Sequence, residues 1–128
     1  MTNLQFSKPT ESELEILQVL WRDGASSVRH VNDILNEKRK IGYTTTLKFM
    51  QLMLEKGFLE RDASSRTHIY SPLLDEAATQ KGLVDKFIDN TFRGSAMKLV
   101  MQTLGNHEAS SEELDEIKKL IEKIEKKK

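Results

Sequence analysis

The 128-residue chain contains no cysteine, which removes disulfides, thiolate metal sites and cysteine nucleophiles together. No run of 18 apolar residues occurs, and the first residues do not form a charged, apolar, small-residue leader. No membrane insertion and no secretion are therefore expected, and a cytoplasmic location follows. The chain also lacks a nucleophile elbow, a glycine-rich phosphate loop and any HxxxH or HExxH spacing among His30, His68 and His107. No metal, no cofactor and no enzymatic chemistry are expected on that basis. Net charge is missing as well, since 20 Lys plus Arg balance 20 Asp plus Glu. A polyanionic partner can then be attracted only by a local excess of cations.

Such an excess exists. Lys38, Arg39, Lys40 and Lys48 fall in an eleven-residue window without an acid, while Glu11, Glu13 and Glu15 gather near the start. That window adjoins the most informative stretch of the chain, Gly42 to Pro72, where a helical pattern stops at Gly57 and an alternating, turn-interrupted pattern follows. Two shorter helical segments come first. Thr10 with Glu13 forms a capping box that opens one helix over 11–22, with Leu14, Leu17, Val19, Leu20 and Trp21 on its apolar side. Trp21 reads as a core residue. Ser27 caps a second helix over 28–38 that carries Val28, Val31, Ile34 and Leu35. Helix, helix, helix, hairpin is the order of a winged helix-turn-helix, a fold that points to duplex DNA.

The third helix, over 44–56, is placed with Thr46, Phe49, Met50 and Met53 inward by the i, i+3, i+4, i+7 rule. Thr44, Thr45, Lys48 and Gln51 then face outward, with the chemistry to meet base edges and phosphates. Leu47 and Leu52 are left on the outer side and require packing against the wing or another helix. In the hairpin, Ile69 is expected to face inward, with His68 and Tyr70 on the opposite face. Arg66 at the tip is placed to meet a phosphate, as are Arg39 and Lys40 before the third helix.

From Asp75 the pattern changes to three amphipathic helices, over 75–90, 95–104 and 112–126. Two domains are thus expected, a winged-helix domain over 1–74 and a helical dimerisation domain over 75–128. Some fifty residues of helix do not readily enclose a core of their own. Along the last helix, which Ser110 and Glu113 open with a second capping box, Leu114, Ile117, Ile121 and Ile124 repeat at three and four residues. Leu83, Phe87, Phe92 and Leu99 add apolar surface upstream, and a second copy of the chain would bury it all.

With those residues in place, the chain resembles the penicillinase-repressor family of bacterial regulators, the BlaI/MecI type. The likeness rests on PTESELEILQVLW (Pro9 to Trp21), YTTTLKFMQLMLEKGFLERD (Tyr43 to Asp62), RTHIYSP (Arg66 to Pro72), FRGS (Phe92 to Ser95) and SSEELDEIKKLI (Ser110 to Ile121). It implies a mainly helical homodimer, with an N-terminal winged helix and a C-terminal three-helix dimerisation domain, that represses a promoter by occupying a dyad-symmetric operator in double-stranded DNA. It further implies DNA-contacting positions at Thr44, Thr45, Lys48 and Arg66, and a membrane sensor protease as the partner that ends repression. Such relatives are released through cleavage at an Asn-Phe bond, where this chain carries Gln102 and Thr103. Leu52 stands where many relatives carry an arginine. The cysteine cluster of copper-responsive relatives is absent. A winged-helix module that docks other proteins, with no operator, is the alternative that zero net charge and the outward leucines permit.

Overall fold

The computed structural model describes residues 8–106 and 108–128, arranged as six helices and one hairpin: α1 (Glu11–Asp23), α2 (Val28–Leu35), α3 (Tyr43–Glu55), β1 (Leu59–Asp62), β2 (Ile69–Pro72), α4 (Glu76–Phe92), α5 (Ala96–Asn106) and α6 (Ser111–Lys126). The described chain is mainly helical, as the sequence predicts. It resolves into two units, residues 1–83 and 84–128, and α4 runs from the first into the second.

Both predicted capping boxes form. The Thr10 hydroxyl accepts from the Glu13 N–H while the Glu13 carboxylate accepts from the Thr10 N–H, and Ser110 and Glu113 repeat the exchange at α6. α3 ends in a Schellman arrangement: the Phe58 N–H reaches the Met53 carbonyl at 2.9 Å and the Gly57 N–H reaches Leu54 at 3.1 Å. Gly57 takes the left-handed φ of +82° that this ending requires. α2 stops three residues short of its expected end. The Asn36 side chain donates to the carbonyls of Asn32 and Ile41 and so turns the chain out of the helix.

The core of the first unit is built from Ile16, Leu17, Val19 and Leu20 of α1, Val28, Val31 and Leu35 of α2, Met50 and Met53 of α3, and Phe58, Leu59 and Tyr70 of the wing. Trp21 packs at its edge and donates its indole N–H to the Leu74 carbonyl at 3.0 Å. The hairpin is antiparallel, with Leu59 opposite Pro72 and Arg61 opposite Tyr70. Ser26 bridges the free side of β2 by exchanging two backbone hydrogen bonds with Tyr70.

That register corrects the expected wing faces. Tyr70 is buried and Ile69 only half-buried. Period-two alternation cannot choose a face for a four-residue strand. Pairing can: Tyr70 is two residues from Pro72, which opposes the buried Leu59, so Tyr70 shares the core face. His68 precedes the ladder and is exposed.

In the second unit, Arg93 and Gly94 both adopt left-handed backbone conformations, φ 52° and 84°, and turn the chain from α4 into α5. No described side chain after Tyr70 is fully buried.

Candidate nucleic-acid interface

α3 is held against α2 by a small polar network under an otherwise apolar contact. The buried Asn32 donates to the Thr46 hydroxyl at 2.8 Å and to the Ile41 carbonyl at 3.2 Å, and Asn36 both donates to and accepts from Ile41. These bonds fix the turn between the two helices and set the rotation of α3 about its axis. Losing one such buried hydrogen bond costs roughly 1–3 kcal/mol, so the orientation is firmly specified. At the other end of α2, Asp23 accepts from the Arg22 guanidinium and from His30, which holds its carboxyl well below the usual carboxylate range and ties the end of α1 to the start of α2.

With α3 so held, Thr46, Met50 and Met53 are buried and Phe49 is half-buried, as the sequence predicts. Thr44, Thr45, Lys48 and Gln51 are exposed together with Tyr43. The first two turns of this outer face carry no acid; Glu55 enters only at the last residue. Leu47 packs on the edge of the core, the neighbour its position requires, while Leu52 remains 41 % exposed. Lys40 is exposed. Arg39 is exposed too, but its guanidinium pairs with Glu15 of α1 at 2.8 Å.

Beside this face runs a groove of about 530 Å³ between the start of α2, α3 and the wing. Arg29, Tyr43 and Gln51 line one side; Arg61, Arg66 and His68 line the other, and no carboxylate lines it. Arg66 lies in the loop between β1 and β2 and lines this groove. Tyr43, Arg29, Arg61 and His68 are functional candidates that local patterning misses. They lie up to 39 residues apart in the chain and meet only once the wing folds. The tip is shaped by Asp62, whose pKa is lowered by the Ser64 hydroxyl and by the Ser64 N–H, from which it accepts at 2.9 Å to close the turn. Among the described residues, Arg29, Arg61, Arg66, Lys40 and Lys48 form no ion pair.

The expected dimerisation residues lie on half-buried or exposed surface. Leu83 and Leu99 are half-buried; Phe87 is exposed and stacks edge-on to Phe92 with centroids 5.7 Å apart. On α6, Leu114, Ile121 and Ile124 are exposed and Ile117 is half-buried. No group of three or more metal-ligating side chains occurs among the described residues, and His107 lies outside them. No described helix is long and apolar enough to cross a membrane.

Three helices with a hairpin wing, a helix face whose first two turns carry no acid and an adjoining cationic groove define a winged helix-turn-helix of the transcription-regulator class. The model of the penicillinase repressor family matches residues 9–123, and the chain belongs to that family. Its members are transcriptional repressors, not enzymes. The chain is 28% identical over 117 residues to the penicillinase repressor of Bacillus licheniformis, covering 88% of each protein. It is 19% identical over 114 residues to the methicillin resistance regulatory protein MecI of Mammaliicoccus sciuri, covering 89% of this chain and 93% of that one. Among solved structures, it matches the DNA-binding domain of the repressor BlaI with 24% identity and a TM-score of 0.48, over 53% of this chain and 83% of that one.

Proposed function

We propose that the protein is a homodimeric, cytoplasmic repressor that occupies a dyad-symmetric operator and blocks transcription until a signal releases it. The observation that carries this reading is the outer face of α3, acid-free over its first two turns, beside a groove lined by three guanidiniums and no carboxylate, in a member of a repressor family. Thr44, Thr45, Lys48 and Gln51 enter the major groove. Arg66 meets the backbone from the wing, and Lys40 adds a phosphate contact. Arg39 joins it by exchanging Glu15 for a phosphate. Two recognition helices joined through the second units reach half-sites roughly 34–36 Å apart, or a multiple of that spacing. The exposed apolar side chains of α4, α5 and α6 support a second copy as the partner, since monomers seldom leave so many large apolar side chains in water.

Release belongs to the same reading, with a membrane sensor protease as the partner. Gln102 and Thr103, at the place of the relatives' Asn-Phe bond, are exposed on α5, so a protease of Asn-Phe specificity has no matching bond there.

Lys48→Ala should weaken binding to the operator by about 1–3 kcal/mol per half-site without changing the melting temperature. Fluorescence anisotropy on a duplex from the gene's own upstream region reads this directly. Unchanged affinity in the folded variant would contradict the placement of α3 in the groove and favour a protein-docking role, for which the exposed Leu52 is the best contact.

A further inference from the structure

Among the described residues, Arg29 is the guanidinium of the groove that lies over an aromatic ring. It lies in the first turn of α2, is exposed, and makes no ion pair among the described residues. Its guanidinium carbon sits 5.2 Å from the centroid of the Tyr43 ring, at the first residue of the recognition helix. The ring covers one side of the guanidinium, and no ion pair among the described residues uses its N–H donors, which leaves them for a bidentate acceptor. The ring also restricts the side chain in advance, so less rotamer freedom is lost when the acceptor arrives. Across the groove stand Arg61 and Arg66, again with no carboxylate between the walls. Guanidiniums on two facing walls complement a ribbon of regularly spaced anions rather than a single small one.

We propose that Arg29, positioned by Tyr43, is a phosphate clamp on the α2 side of the groove, opposing Arg61 on the wing, and that the pair grips the sugar-phosphate backbone flanking the bases that α3 reads. This rests on the repressor reading and adds to it a contact on α2. The clamp is blind to sequence: it fixes how deeply and at what angle α3 sits, while the α3 side chains discriminate bases.

The test uses the full-length protein and three duplexes, the gene's own upstream region and two of unrelated sequence, with affinity measured across a series of salt concentrations. Arg29→Ala should lower affinity roughly tenfold per bound protomer and equally on all three duplexes. The slope of log affinity against log salt should become shallower by about one per protomer. Tyr43→Phe should behave as the wild type. Tyr43→Ala should bind more weakly at an unchanged slope, because the charge remains and only its positioning is lost. Circular dichroism confirms that each variant is folded. An unchanged slope in Arg29→Ala, or a loss confined to the upstream duplex, overturns the clamp while leaving the repressor reading in place; the second result would make Arg29 a base reader. Wild-type affinity in Tyr43→Ala removes the positioning role. A wild-type protein with no affinity for any of the duplexes overturns the repressor reading and the clamp together.

Discussion

Ile121→Asp should yield a monomer that has lost most of its affinity for the operator. Ile121 is 51 % exposed and lies on one stripe of α6 with Leu114, Ile117 and Ile124. Burying each such side chain contributes about 1.5–3 kcal/mol, and two copies bring eight of them to the pairing. An aspartate in the middle of that stripe forfeits one of these contributions per copy. It also forces a carboxylate into an apolar contact, where it is costly without a partner. The helix itself should survive, because the Ser110 and Glu113 cap is intact and a single aspartate lowers helix propensity by well under 1 kcal/mol. Operator affinity follows from dimerisation. In a dimer the second half-site is bound at an effective concentration that raises affinity by roughly 10²–10⁴ over one half-site alone. Sedimentation and anisotropy on the same sample check both statements. A strictly monomeric Ile121→Asp that binds the operator as tightly as the wild type would sink the dimeric arrangement.

Lys56→Met should destabilise the first unit by about 2 kcal/mol and weaken the acid dependence contributed by Glu13. Glu13 is only 3 % exposed, beneath the Lys56 ammonium, which also lies 5.6 Å from the Phe58 ring centroid. Burial pushes the Glu13 carboxyl up, but the Lys56 hydrogen bond and charge and the Thr10 N–H outweigh it and leave the pKa below its ordinary value. A carboxylate whose pKa is lowered by folding stabilises the fold above its unfolded pKa; that contribution is lost as the pH falls through the lowered value. Removing one partner of a fully buried pair costs about 3–5 kcal/mol. The lower figure expected here reflects the 43 % exposure of the Lys56 side chain. In Lys56→Met the burial effect is opposed only by the Thr10 hydrogen bonds, so the Glu13 pKa should rise relative to the wild type. The variant should then lose less stability than the wild type on acidification toward pH 4 to 5. Thermal melts across that range read the difference. A variant whose melting temperature falls with acid as steeply as the wild type's does would show that Lys56 does not govern Glu13.

The sequence is most legible where a signal is local. Thr10 with Glu13, Ser110 with Glu113 and Gly57 each mark a helix end by chemistry that acts within four residues, and the observed ends agree to within two residues apart from α2. The α3 stripe of Thr46, Met50 and Met53 is legible for the same reason. Burial of Glu13 was not, because its counter-charge arrives 43 residues later. The face of Tyr70 was not, because the register with β1 and the bridge to Ser26 decide it. The candidate site divides in the same way. Thr44, Thr45, Lys48 and Gln51 follow from one helix period, and Arg66 from a turn. Arg29, Tyr43 and Arg61 become one groove only through tertiary contacts between α2, α3 and the wing. The five quoted motifs suffice for the family because their order along the chain, rather than any single one, carries the resemblance, and the family model spans them from residue 9 to 123.

On the proposed reading, this chain recognises a particular stretch of duplex DNA. Fluorescence anisotropy of the purified protein on a duplex from its own upstream region, against a scrambled duplex of the same composition and at two salt concentrations, tests it most directly. Binding that prefers the upstream duplex and weakens steeply as salt rises is the predicted result. Equal affinity for both duplexes, or binding indifferent to salt, would contradict it.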